Sequence, residues 1–314
     1  IKNHRFVLNG EKSTAEQVTL FLKKKGASVK FFLENGDIKI VASADSFYNA
    51  KITGSASQDT YQDYLDRISP IEMKIETLNK ALSDATPVDN AISQTSMGDS
   101  LRHKLAELDS LKSSTIAKFI SDNPSSVVTA RLIVSNFLWN PDAEQLNSMF
   151  YSLDPTVQRS QYGKIIKEHL DIAKRLAIGS TAPDFSQPDM EGNLFTLSSL
   201  RGKFVLVNFW ASWCGPCRKD NPHLVKAYQQ FKNKGFTIIG VSLDHNKQAW
   251  INAVKKDHLD WTQVSDLQGL SNKAMQDYGV WATPTCYLLD KEGTIIGRNL
   301  FGEKLEKKLS ELLP

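Results

Sequence analysis

The sequence predicts an α/β protein whose C-terminal domain has a mixed central sheet flanked by helices, preceded by a small β unit and a helical region. Three observations predict it. Up to residue 55 the chain alternates with period two; from about 57 to 175 apolar residues recur every three or four positions; from 177 onward short apolar runs alternate with helical stretches. Its 314 residues suit about two domains of ordinary size. The expected divisions are 1–55, 56–176 and 177–314.

In the first division Phe6-Val7-Leu8, Val18 to Leu22, Val29 to Leu33 and Ile38 to Val41 read as strands separated by Gly and Asn turns. Glu34-Asn35-Gly36-Asp37 reads as a hairpin loop, since Asn-Gly supplies positive φ at little cost. The unit is short for an independent sandwich and is expected to be truncated at its start. The chain begins with Ile1 rather than Met, so a removed signal segment or lipid anchor is expected ahead of it.

In the second division Leu101, Leu105, Leu108, Leu111, Ile116 and Ile120 share one helical face, which Asn123-Pro124 ends. Val127 to Trp139 reads as another helix. Asn140-Pro141-Asp142 reads as the start of a third, with Asn as N-cap and Pro in the first turn. Pro155 to Leu176 reads as the last helix, and 83–98 as the flexible loop. No chemical constellation is visible here, and the division reads as a packed spacer or docking region.

In the third division Thr181-Ala182-Pro183-Asp184-Phe185 is an extended lead-in, and Phe204 to Trp210 and Phe236 to Leu243 are continuous apolar runs. Such runs suit strands covered on both faces. Helical patterns follow Cys214 to about Lys232, and occupy Gln248 to Lys256, Asn272 to Tyr278 and Glu303 to Leu313. Lys291-Glu292-Gly293 reads as a turn between Tyr287 to Asp290 and Thr294 to Ile296.

Apolar residues make up 41% of the chain and charged residues 23%, enough for a core without metal or disulfide staples. A net charge of +3, with basic and acidic residues interspersed, leaves no electrostatic footprint for nucleic acid. The longest apolar stretches are strand-sized, well short of the roughly 18 residues of a membrane span. The three cysteines are Cys214, Cys217 and Cys286. No second Cys-x-x-Cys or His-x3-5-His accompanies the first pair, so a structural zinc site is not expected.

The chemistry concentrates in Trp213-Cys214-Gly215-Pro216-Cys217, where a buried strand hands over to a helix. A thiol at a helix N-terminus meets unpaired N–H groups and the positive dipole end, which favour the thiolate. Cys214 is therefore the expected nucleophile. Cys217, one turn further in, is placed to displace the mixed disulfide. Pro216 lacks an N–H that the first turn would leave unpaired anyway.

These residues resemble the thioredoxin superfamily, specifically the bacterial envelope thiol-disulfide oxidoreductases of the TlpA and ResA type, themselves AhpC/TSA-like. The resemblance covers 177–314. It rests on Thr181-Ala182-Pro183-Asp184-Phe185, on Leu200-Arg201-Gly202-Lys203 with Val205 through Arg218, and on Thr283-Pro284-Thr285. It implies a thioredoxin-like fold in which Pro284 is a cis-proline facing the disulfide. The backbone of Thr283 would then pair with an extended substrate beside Trp213, Gly215 and Pro216. It also directs attention to Asp220, where relatives often carry Glu: either a general base for Cys217 or a solvated acid in the first turns of a helix. Asn208 stands where ordinary thioredoxins bury a titrating Asp. Cys286 is expected to be a buried structural cysteine. Trp210, Trp213 and Trp281 are expected near the site, Trp210 as core. A weaker likeness, through Phe31 to Gly36 and Ala50 to Ser55, joins the first division to a domain of unknown function (DUF4369-like) of Bacteroidetes-type envelope proteins.

The function expected is thiol-disulfide exchange, as a periplasmic or envelope-anchored protein-disulfide reductase. It would use no cofactor beyond the Cys214–Cys217 disulfide and no metal. Its partners would be protein thiols or disulfides and an upstream thiol donor, with no nucleic acid and no membrane span. Two alternatives stand beside it. A peroxiredoxin-like thiol peroxidase would want a hydroxyl three residues before the reactive Cys, where this chain has Ala211. A partner-binding protein would use the redox module only as a sensor.

Overall fold

Two antiparallel hairpins open the chain in the computed structural model, which describes residues 6–23, 26–43, 45–84, 96–139 and 142–314. β1 (Glu16–Leu22) pairs with β2 (Ala27–Leu33), and β3 (Lys39–Val41) pairs with β4 (Lys51–Thr53). Two expectations are corrected here. Phe6-Val7-Leu8 is not a strand, and Glu34 to Asp37 does not join paired strands. Asn35 is instead tied to Lys12 by two hydrogen bonds of 2.8 and 2.9 Å, and Gly36 passes against Gly54. At Gly54 (φ +88°) a Cβ would stand 2.1 Å from the Asp37 carbonyl oxygen, so only glycine fits.

Glu34 carries the junction between the hairpins and α1 (Ala56–Asp84). Its carboxylate accepts from the Ser57 N–H at 3.0 Å and from the Ser55 and Ser57 hydroxyls at 2.8 and 2.6 Å. A negative group against the first turn of a helix also complements its dipole. Burial alone would raise the Glu34 pKa, but these hydrogen bonds hold it below its usual value. Gln58, also in that turn, accepts the Phe32 N–H at 3.0 Å, and fully buried Phe32 begins an aromatic chain through Tyr61 and Tyr64 to Phe119.

α2 (Ser96–Asp122) and α3 (Val127–Phe137) follow as expected, broken at Asn123-Pro124. Asn140-Pro141 and residues 85–95 of the expected loop lie outside the described residues. α4 (Ala143–Ser152) begins with the Asp142 carboxylate accepting the Gln145 N–H at 2.7 Å, so Asp142 supplies a cap. The last expected helix is two: α5 (Pro155–Gln158) and α6 (Gln161–Arg175). Buried Ser160 makes the break, donating to the Val157 carbonyl at 2.6 Å and accepting the Gly163 N–H at 3.1 Å.

The chain forms two compact units, one of residues 1–137 with 146–167, the other of 138–145 with 168–314. In the second, β5 (Ser186–Pro188) and β6 (Leu194–Thr196) form a small hairpin. β7 (Phe204–Trp210), α7 (Gly215–Phe231), β8 (Phe236–Ser242), α8 (Lys247–Lys256), β9 (Thr262–Val264), α9 (Lys273–Asp277), β10 (Thr285–Leu289), β11 (Ile295–Arg298) and α10 (Glu303–Leu312) follow. The sheet order is β11-β10-β7-β8-β9, parallel across β7-β8-β9 and antiparallel at β10 and β11. This is the mixed sheet the sequence predicts. β7 is central and buried from Val205 onward, which accounts for its unbroken apolar run. The extended lead-in is also present: Gly179 and Ala182 donate to Ile295 and Gly293 at 2.8 and 3.0 Å along β11 and the turn before it.

Replacing Glu34 with Gln should lower the stability of the first unit by about 1 kcal/mol at pH 7. Because the Glu34 pKa is depressed on folding, its contribution is present above the usual glutamate value and fades as pH falls through the depressed one. Urea unfolding followed by circular dichroism should therefore show the difference at pH 7 and lose it in strong acid.

Candidate active site

Every residue of the motif is placed by the end of β7. The strand stops at Trp210, whose fully buried ring donates Nε1–H to Gln263 Oε1 on β9 at 3.0 Å. The chain then turns, with the Cys214 N–H donating to the Ala211 carbonyl at 3.1 Å. Cys214 becomes the N-cap of α7, with extended backbone, and its Sγ accepts the Cys217 N–H at 3.2 Å. Pro216 occupies the first turn. Cys214 and Cys217 are joined by a disulfide.

Both cysteines are buried, at 4% and 2% exposure, whereas Trp213 is 62% exposed and Gly215 and Pro216 face solvent. The disulfide therefore lies beneath an exposed rim. The same N–H that caps the helix points at the sulfur on which a thiolate would form, so reduction would leave charge where a donor already stands.

Antiparallel pairing brings the second segment to the same end of the sheet. Thr285 at the start of β10 is opposite Phe209, and Cys286 is opposite Asn208. Residues just before Thr285 thus emerge where β7 releases Cys214. The Thr283–Pro284 peptide bond is cis.

Asp220 lies one turn beyond Cys217, half-buried. Its carboxylate accepts the Gly302 N–H at 3.2 Å, and among the described residues it makes no hydrogen bond to either cysteine. Burial raises its pKa, opposed by the Gly302 N–H and the nearby His223. Cys286 is free and buried; burial, with a smaller push from the Asp220 charge, raises its thiol to about 12. Its Sγ–H donates to the Leu300 carbonyl at 3.5 Å, the place of a packed structural thiol rather than of a nucleophile.

Two braces escaped sequence reading. Asp244, buried just beyond β8, accepts the Ser212 N–H at 2.9 Å and the Ser212 and Ser242 hydroxyls at 2.5 and 2.8 Å. From the other side Arg218 donates to the Ser212 carbonyl at 3.1 Å. The guanidinium is held by a two-pronged pair with Asp257, which also accepts from Asn221 at 2.6 Å. Burial opposes ionisation of Asp257, but the Arg218 and Asn221 hydrogen bonds outweigh it and hold the pKa low. These partners stand 32 and 39 residues from Ser212 and Arg218, so no local spacing announces them.

Residues 178–298 match the AhpC/TSA family. The thiol-disulfide oxidoreductase ResA of Bacillus thuringiensis subsp. konkukian is 36% identical over 140 residues, 45% of this chain and 79% of that protein. The chain belongs to the ResA-type thiol-disulfide oxidoreductases. ResA of Geobacillus kaustophilus is 34% identical over 142 residues, 44% of this chain and 80% of that protein. A solved thiol-disulfide oxidoreductase from Bacteroides fragilis is 42% identical with a TM-score of 0.41, covering 43% of this chain and all of that one. The thioredoxin domain of a Bacteroides vulgatus thiol-disulfide oxidoreductase is 37% identical with a TM-score of 0.43, covering 44% of this chain and 99% of that one. At the other end, residues 1–61 match the domain of unknown function DUF4369. Among the described residues there is no cluster of three or more His, Cys, Asp or Glu able to hold a metal ion.

Asp257→Ala should cost about 2 kcal/mol, because it removes charge-assisted bonds from a partly buried pair and strands Arg218. With its pKa depressed on folding, Asp257 stabilises above the ordinary aspartate range and loses that effect as pH falls through the lowered value. Thermal melts of both proteins at pH 7 and in strong acid should converge at the acid end.

Proposed function

We propose that this protein is a protein-disulfide reductase of the cell envelope, carried by residues 177–314 and kept reduced by an upstream thiol donor. The observation that carries the reading is the Cys214–Cys217 disulfide capping α7, with the Thr283–Pro284 segment at the same end of the sheet. In the reduced state the Cys214 thiolate attacks one sulfur of a substrate disulfide, and the other sulfur departs as a thiolate that takes a proton. Cys217 loses its proton and attacks Cys214 Sγ, breaking the mixed disulfide and releasing the second substrate thiol. Two electrons pass to the substrate, and the state with Cys214 and Cys217 bonded remains. The donor then reverses that exchange.

Trp213, Gly215 and Pro216 form the exposed rim against which substrate rests, and the Thr283 backbone beside Pro284 pairs with its extended chain. Asp220 takes the Cys217 proton. Its raised pKa makes it a better base than an ordinary aspartate once deprotonated. The envelope location rests on the family resemblance; among the described residues no helix is long and apolar enough to cross a membrane. Ala211 offers no hydroxyl three residues before Cys214, which disfavours a peroxidase.

Insulin reduction driven by dithiothreitol should be rapid for the wild type and abolished by Cys214→Ser, while Cys217→Ser should accumulate the mixed disulfide. Inert wild type would overturn the reductase reading. Glutathione titration should place the couple nearer about −270 mV than the strong oxidants near about −120 mV. Asp220→Asn should slow turnover at least about tenfold and flatten the acid limb of the pH profile. An unchanged profile would make Asp220 a solvated bystander.

A further inference from the structure

The C-terminal half of α6, within the second unit, lies along the segment that leads into the cis-proline. Three of its residues, spaced for one helical face, meet every second residue of that segment. Arg175 donates to the Asp277 carbonyl at 3.2 Å. Ile172 lies so close to Gly279 that a Cβ there would stand 2.4 Å from the Ile172 side chain; Gly279 also has φ +52°. His169 stacks its imidazole on the Trp281 indole, with centroids 4.0 Å apart and planes 20° from parallel.

The His169–Trp281 stack is the contact nearest the site, since Trp281 precedes the cis bond by only two residues. His169 is buried at 9% exposure, and among the described residues its Nδ1 has no hydrogen-bond partner. A buried ring nitrogen without a partner is costly for stability alone. Burial also lowers the His169 pKa, against a smaller pull from Glu168, which keeps the ring neutral. A neutral flat ring suits stacking, the contact that the structure gives this imidazole.

We infer that His169 is a positioning residue for substrate: acting through Trp281, it sets the Ala282-Thr283-Pro284 loop in the position that receives the disulfide-bearing polypeptide. This deepens the reductase reading and rests on it. His169 touches neither sulfur, so it governs how well a polypeptide docks and leaves the thiol chemistry itself unchanged.

The test compares His169→Ala and His169→Phe with wild type in the full chain, using two disulfides of different size. Insulin needs the loop; the small aromatic disulfide 5,5′-dithiobis(2-nitrobenzoate) reports only the reactivity of the reduced cysteines. His169→Ala should raise KM for insulin about two- to tenfold, the worth of an aromatic stack, with kcat and the small-disulfide rate within about twofold of wild type. His169→Phe, which keeps a flat ring, should restore KM. The double variant with Trp281→Ala should be no worse than Trp281→Ala alone, because the two residues act as one unit. An unchanged KM in His169→Ala overturns the inference, as does a His169→Phe variant as impaired as His169→Ala. A parallel loss of kcat and small-disulfide reactivity also overturns it, by assigning His169 to general structure. Wild type unreactive toward both disulfides would instead overturn the underlying reductase reading.

Discussion

Ser212 is bonded from three directions: its N–H and hydroxyl reach Asp244, and its carbonyl takes the Arg218 guanidinium. The arrangement solves a problem set by the fold. β7 is buried on both faces and must release the chain abruptly so that the next residues can begin a helix. A loop crossing from strand to helix has backbone groups with no sheet or helix partner, and leaving them unpaired near the core costs free energy. The two aspartates, one fixed beyond β8 and one at the end of α8, supply partners directly or through Arg218. With Ser212 held, Trp213 is turned outward and Cys214 falls at the helix cap. The reactive pair inherits its position from groups that do no chemistry.

The same constraint explains why burial and reactivity coexist here. A disulfide with both cysteines nearly enclosed would ordinarily be inert. It remains approachable because the residues on either side of Cys214 are exposed, and because the β10 segment arrives at the same end of the sheet. Charge on Cys214 need not be solvated by bulk water, since the Cys217 N–H and the α7 dipole already face it.

The elements that carry the site were legible because each is written locally. Apolar runs of strand length, a cysteine pair at a strand-to-helix step and a Thr-Pro before another strand all survive reading residue by residue. Other features were settled by distant partners. Asn35-Gly36 has the composition of a hairpin turn, yet Asn35 is bound to Lys12 and Gly36 passes against Gly54, so tertiary contacts overrode the local preference. The helix expected from Pro155 onward is cut by Ser160, whose hydroxyl offers the backbone a competing partner. β9 has only three residues, too short for alternation to register. Asp244 and Asp257 look like any surface acid until the fold delivers them to Ser212 and Arg218.

Cys286 gives the fold a property of a different kind. It sits buried across the strand pair from Asn208, and burial pushes its thiol up to about 12, which makes it a poor nucleophile toward either redox sulfur. A protein that handles disulfides for a living runs a standing risk of scrambling its own. Here the spare sulfur is sealed within β10, apart from the Cys214–Cys217 bond that the oxidised molecule holds.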